Sequence, residues 1–144
     1  MPKTWLNRLF RLGNLPASRK LELEQEGILL CEEGIAGTTS YRNFRSPNRI
    51  SILRRDWFTG ALVLTKTRLF ALAYASQIIN VPLTDARLNH VSFRVEDGPK
   101  LCVALDASLF RNDWSGSLEY RFRTDQAQRY VEFIDSSAHF RRQP

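Results

Sequence analysis

Five arginines crowd the middle of this chain, Arg42, Arg45, Arg49, Arg54 and Arg55, with no acid among them until Asp56. A guanidinium presents a rigid fork of donors that pairs bidentately with phosphate or carboxylate oxygens, so such a cluster suits the gripping of an anion. Phe44, Ile50, Ile52 and Leu53 are interleaved with the arginines, and Trp57 and Phe58 follow. A second group, Leu109, Phe110, Arg111 and Trp114, falls between residues 107 and 116. Aromatic rings beside arginines fit insertion at a membrane interface or the hot spot of a protein contact. The plainer reading tucks Trp114 over the rim of its own domain, and pairs the five arginines with the acidic run from Glu22 to Glu33.

Little else is arranged for chemistry. His90 and His139 stand 49 positions apart, and neither belongs to an HxH, HxxxH or HExxH pattern. His90 is expected at the start of a strand and His139 in a last helical turn, both as surface residues. Glu22, Glu24, Glu26, Glu32 and Glu33 read as solvated or ion-paired faces. The seven glycines form no phosphate-cradling loop, and Trp114-Ser115-Gly116 is a turn rather than a nucleophile elbow. Cys31 and Cys102 lack CxxC spacing and read as packed thiols without a disulfide. No catalytic residue, metal site or cofactor is therefore expected, and the chain is read as non-enzymatic.

Charge is distributed unevenly. The net charge is +6 over 144 residues. Residues 1–20 hold Lys3, Arg8, Arg11, Arg19 and Lys20 without an acid, Arg141 and Arg142 stand in the last four residues of the sequence, and the body between is close to neutral. Basic ends point to an anionic partner. In Tyr120-Arg121-Phe122-Arg123 the rings and guanidiniums must face opposite ways in a strand, which argues against a stacking surface for nucleic acid. A composition 43% hydrophobic and 25% charged fits one globular domain, and no apolar run approaches the roughly 20 residues that span a bilayer. With no secretory leader, the chain is read as cytoplasmic, with a peripheral membrane association as one option.

The elements that must position these residues follow from periodicity. Residues 1–12 carry Trp5, Leu9 and Leu12 at helical spacing, widened by Leu6 and Phe10, with Arg8 and Arg11 largely opposite. This predicts a short amphipathic helix that docks on the domain, on a second copy or on a membrane. A second helix from Ser18 to Glu26, closed by Gly27, competes with a strand because Leu21-Glu22-Leu23-Glu24 alternates. Period-two patterning then predicts seven strands, at 28–42, 60–65, 68–75, 78–83, 90–96, 100–106 and 117–123. Asp97-Gly98 marks a hairpin. Thr124 or Asp125 can cap a final helix with Ala127, Tyr130, Val131, Ile134 and Ala138 on one stripe. The predicted organisation is a basic amphipathic segment at 1–19, one domain at 20–140 and a basic tail at 141–144.

A Gly-led strand from Gly60, the turn Leu64-Thr65-Lys66-Thr67-Arg68-Leu69 and the ending Val81-Pro82-Leu83, followed by the seven-strand and helix order, resemble the pleckstrin-homology superfold in its bacterial and GRAM-like branches. The resemblance covers about residues 20–138. It implies a mainly β fold with α, a seven-stranded antiparallel bent barrel capped by a C-terminal amphipathic helix. It further implies a binding module whose first inter-strand segment, here the arginine cluster, meets anionic phosphates. Gly60 to Leu64 carries no base where phosphoinositide-binding relatives have one, so diffuse attraction to an anionic lipid surface is expected rather than an inositol-phosphate pocket. A protein partner is the other class. Relatives of the bacterial type also self-associate, which makes a homo-oligomeric scaffold the alternative.

Overall fold

The computed structural model describes residues 14–138. The expected helix of residues 1–12, with Trp5, Arg8, Leu9, Phe10 and Arg11, lies outside the described residues, as do His139, Arg141 and Arg142.

The stretch that could be helix or strand is a helix, α1, Ala17–Glu26. Pro16 rather than Ser18 occupies its N-cap, and its carbonyl accepts from the Lys20 amide at 2.9 Å. Gly27 closes it in the left-handed conformation, φ 87°. The alternation of Leu21 and Leu23 is resolved by the helix: Leu23 is buried while Leu21 stays 57% exposed. The helix also crosses the expected boundary between residues 19 and 20.

Seven strands follow, β1 Ile28–Ser46, β2 Arg49–Thr65, β3 Arg68–Ala73, β4 Ser76–Pro82, β5 Ser92–Glu96, β6 Lys100–Asp106 and β7 Ser115–Arg123. All pair antiparallel in one sheet, in the order β4-β3-β2-β1-β7-β6-β5. A second amphipathic helix, α2, Ala127–Ser136, ends the described fold. Mainly β with α is thus the fold class.

The sheet is not closed, so the bent barrel expected from the resemblance fits only loosely. β4 and β5 are consecutive in the chain yet form opposite edges. Their connection carries a 3-10 turn, Ala86–His90, whose Leu88 is buried in the core. The gap is therefore bridged by side-chain packing rather than by a hydrogen-bonded ladder, which full closure would require. His90 belongs to this turn and does not begin a strand. The turn after β3 also comes earlier than its sequence suggests: Tyr74, at φ 55°, and Ala75 make it, and Ser76 already lies in β4.

One face of the sheet packs a large core that includes Leu62, Leu64, Leu69, Ala71, Leu101, Val103, Phe122, Tyr130 and Ile134. Helix α2 inserts Tyr130 and Ile134 here, and the Tyr130 hydroxyl donates to the Leu62 carbonyl at 3.2 Å. Gln126, rather than Thr124 or Asp125, holds the N-cap of α2 and makes no side-chain cap bond; the Thr124 hydroxyl lies just ahead of it, accepting from the Gln126 amide at 3.0 Å and donating to the Glu32 carboxylate. Burial holds the Glu32 carboxyl above its usual range. The opposite face of β2 and β3 is covered too: Ala61, Val63, Phe70 and Leu72 meet Leu15 and Leu23. Cover on both faces explains why residues 60–65 are buried without a break.

Phe58 turns into the first core between two glycines. A Cβ on Gly60 would meet the Leu72 carbonyl oxygen at 2.0 Å, and one on Gly37 would meet the Phe58 ring at 2.4 Å. Only glycine permits both approaches. Cys31 and Cys102 are free thiols, Cys31 exposed and Cys102 buried.

Candidate functional site

The arginine segment is not a loop. β1 runs on to Ser46 and β2 starts at Arg49, so Pro47 and Asn48 make a tight turn, and residues 36–46 pair with residues 49–59 as one long hairpin ribbon. The register sets Arg45 opposite Ile50, Arg42 opposite Leu53, Tyr41 opposite Arg54 and Ser40 opposite Arg55. Directly opposed residues share a face in an antiparallel ladder. Arg42, Leu53, Arg55 and Trp57 thus fall on the sheet face away from the main core, with Tyr41 and Arg54 on the other; at Asn43, φ 50°, the alternation shifts, and Phe44 turns into the main core beside Tyr41. β7 supports β1 as far as the Arg45–Ser115 pair. β2 has β3 beside it only from Gly60 to Leu64, which leaves Arg49 to Asp56 as an unpaired strand edge among the described residues.

The ribbon curls strongly. Arg49 reaches Asp56 at 3.7 Å, although seven residues of straight strand would separate them by roughly 23 Å. Arg49 also lies over the Tyr41 ring at 5.5 Å. Arg54 donates to Asp56 at 2.8 Å, and this hydrogen bond raises the guanidinium's pKa further. One aspartate therefore serves two arginines. Arg42, Arg45 and Arg55 are exposed and form no ion pair among the described residues.

The acidic run does not neutralise this cluster. Glu22 pairs with Arg19, Glu33 with Lys20 and Glu26 with Arg68. The reason is register: the run lies on α1 and the start of β1, at the far end of the long strand pair from the arginines.

Apolar residues of the ribbon were visible in the sequence but not marked as site residues. Ile50, Ile52, Leu53 and Trp57 are 70%, 78%, 74% and 72% exposed, the largest values among the exposed apolar side chains of the described residues. Their signal is an apolar residue at both strand parities beside arginines, which no single buried face can use. On the face away from the main core, Arg55 and Trp57 also border a shallow depression of about 190 Å³ with Thr38, Lys100, Arg121 and Arg123. Arg121 is committed there to Glu96 at 2.8 Å and Glu119 at 2.5 Å. Its hydrogen bond is the main reason that the Glu96 carboxyl lies below its usual pKa.

Trp114 comes to the base of the ribbon, as its position in the chain suggests, but it is tucked in. Its ring meets Phe44 edge-on at 5.2 Å, Phe44 meets Tyr41 at 5.0 Å, and Arg111 stacks on the indole at 4.7 Å. Trp114 thus braces the ribbon against the domain, while Arg111 stays exposed. Tyr120 and Phe122 are buried and Arg121 and Arg123 face the other way, as the alternation of β7 requires.

Among the described residues no His, Cys, Asp or Glu cluster could hold a metal ion, and no helix is long and apolar enough to cross a membrane. No family model matches the sequence, and no curated protein matches it significantly.

Proposed function

We propose that the chain is a non-enzymatic binding module of pleckstrin-homology-like type, cytoplasmic and peripheral, that seats its β1–β2 ribbon on an anionic membrane surface. The observation that carries the reading is the juxtaposition at one ribbon of Ile50, Ile52 and Leu53, each at least 70% exposed, with Arg42, Arg45 and Arg55, which lack acidic partners among the described residues. Apolar side chains gain by leaving water at the headgroup level, while each base adds roughly 1 kcal/mol near an anionic leaflet. A ribbon can present both groups together without unfolding anything behind it.

The edge of β2 from Arg49 to Asp56, unpaired among the described residues, favours a second reading, a scaffold in which copies or a protein partner add a strand. Sedimentation of the full chain with phosphatidylserine-containing and phosphatidylcholine vesicles separates the two. Arg45→Glu with Arg55→Glu should release the protein from anionic vesicles, and added salt should do the same. A chain that ignores anionic vesicles at low salt, but shows a concentration-dependent mass that these substitutions alter, would replace the membrane reading with the scaffold.

A further inference from the structure

The open seam of the sheet contains a cleft of about 570 Å³, within the roughly 300–1,000 Å³ range typical of small-molecule sites. It lies between β4 on one side and β5, β6 and β7 on the other, and Leu69, Val81, Val103 and Leu118 form its buried floor. Polar groups gather at its margin. Arg87 is held by Asp85 at 2.6 Å and covers the Phe110 ring at 4.4 Å. Arg111 has no carboxylate partner among the described residues and is fixed in place by stacking on Trp114.

Tyr120 supplies the second observation. It is 7% exposed and lines the cleft, and its hydroxyl has no hydrogen-bond partner among the described residues. No fully buried side-chain polar atom of the described residues lacks a partner, so this oxygen must remain within reach of solvent. The hydroxyl is therefore held in a mostly apolar wall with its hydrogen-bonding capacity directed to whatever fills the cleft. Burial pushes its pKa up to about 12, so it stays a hydrogen-bond donor, and the Arg111 charge acts in the opposite direction.

We propose that this cleft binds a small molecule with an apolar chain and a single carboxylate, the chain lying on the floor and the carboxylate meeting Arg111 and the Tyr120 hydroxyl. A guanidinium and a phenol donating to one carboxylate match its two oxygens. Asp113, also at the margin and without an ion pair among the described residues, opposes a head of higher negative charge. The site is independent of the ribbon, since none of Ile50, Ile52, Leu53, Arg42, Arg45 and Arg55 lines it.

Equilibrium dialysis of the full chain against dodecanoate, dodecanol and dodecylamine, all below micelle-forming concentrations, tests the assignment. Dodecanoate should bind saturably at one site and roughly tenfold more tightly than dodecanol, about 1.4 kcal/mol, with dodecylamine weakest. Arg111→Gln should remove that preference while leaving dodecanol binding and the melting temperature as in the parent. Tyr120→Phe should weaken dodecanoate severalfold, and Ile52→Ser, on the ribbon and outside the cleft, should leave the affinities for dodecanoate and dodecanol at the parent values. No saturable binding, equal affinity for acid and alcohol, an unaltered preference in Arg111→Gln, or loss of binding in Ile52→Ser would each overturn the proposal.

Discussion

Replacing Ile50, Ile52 and Leu53 together by serine separates the apolar contribution of the ribbon from its charge. In the free protein these side chains are 70%, 78% and 74% exposed, so the fold gains little from them and the melting temperature should hold. Full burial of one such side chain is worth about 1.5–3 kcal/mol. With three quarters of each still in water to begin with, and insertion only to headgroup depth, about 1 kcal/mol apiece is a reasonable yield. The triple variant should then lose about 3 kcal/mol of vesicle affinity, on the order of 100-fold, with Arg42, Arg45 and Arg55 untouched. The assay is vesicle sedimentation at fixed ionic strength, run beside thermal unfolding in the absence of vesicles. Unchanged affinity would reduce the interaction to diffuse electrostatics. A stability loss above about 1 kcal/mol, larger than surface substitutions normally give, would mean that these side chains are already covered in solution, as they would be in an oligomer.

Ile134→Asp should abolish cooperative unfolding or soluble expression, because an unpaired carboxylate would replace a side chain only 1% exposed in the main core; a variant that melts like the parent would deny α2 its place there. Glu96 gives a pH test. Its folded pKa is depressed chiefly by the Arg121 hydrogen bond, so its contribution is fully present above its unfolded pKa of about 4.3 and is lost as pH falls through the lower folded value. The melting-temperature gap between the parent and Arg121→Gln should therefore narrow on acidification from pH 7, and a gap that stays constant would remove Glu96 from the explanation.

The legible parts of the fold are those in which one physical demand sets the pattern. β7 shows strict alternation because Leu118, Tyr120 and Phe122 face the core while their neighbours face away from it. The hairpin at Asp97-Gly98 is visible because Gly98 adopts φ 99°, which glycine alone adopts freely. Helix α2 shows its stripe through Ala127, Tyr130 and Ile134. Residues 43–59 are obscured by the opposite circumstance: from Arg49 to Trp57 both parities of β2 carry exposed arginines and apolar residues, although Phe44 and Phe58 beside them are buried. The Ser46-Pro47-Asn48-Arg49 turn was the available clue to a hairpin there. At the candidate site the arginine cluster is plain in the sequence, but its pairing is not, because Asp56 serves Arg49 only through the curl of the ribbon. The cleft has no local signal at all. Val81, Val103 and Tyr120 meet around it because of strand order and the unpaired seam.

The arginines also bear on the competition between membrane and scaffold. An open edge with Ile50, Ile52 and Leu53 beside it is a template for strand addition, and exposed charge is the usual protection against it. Two copies pairing antiparallel along Arg49–Asp56, with a two-fold axis normal to the sheet, keep each residue on its own face. If Leu53 meets its own copy, Ile52 is set against Arg54 and Ser51 against Arg55; moving the register to place Arg54 or Arg55 at the axis sets like charges directly opposite. A register with Ser51 at the axis, however, sets Ile50 against Ile52 on both sides and Arg49 against Leu53, so the apolar residues can pair with one another. Arg45, across the ladder from Ile50, adds charge to the same face. Five arginines against the single Asp56 oppose such pairing through their summed charge, so the proposed membrane reading predicts a monomer in solution that binds anionic vesicles, while a concentration-dependent mass would favour strand addition through the Ser51-centred register.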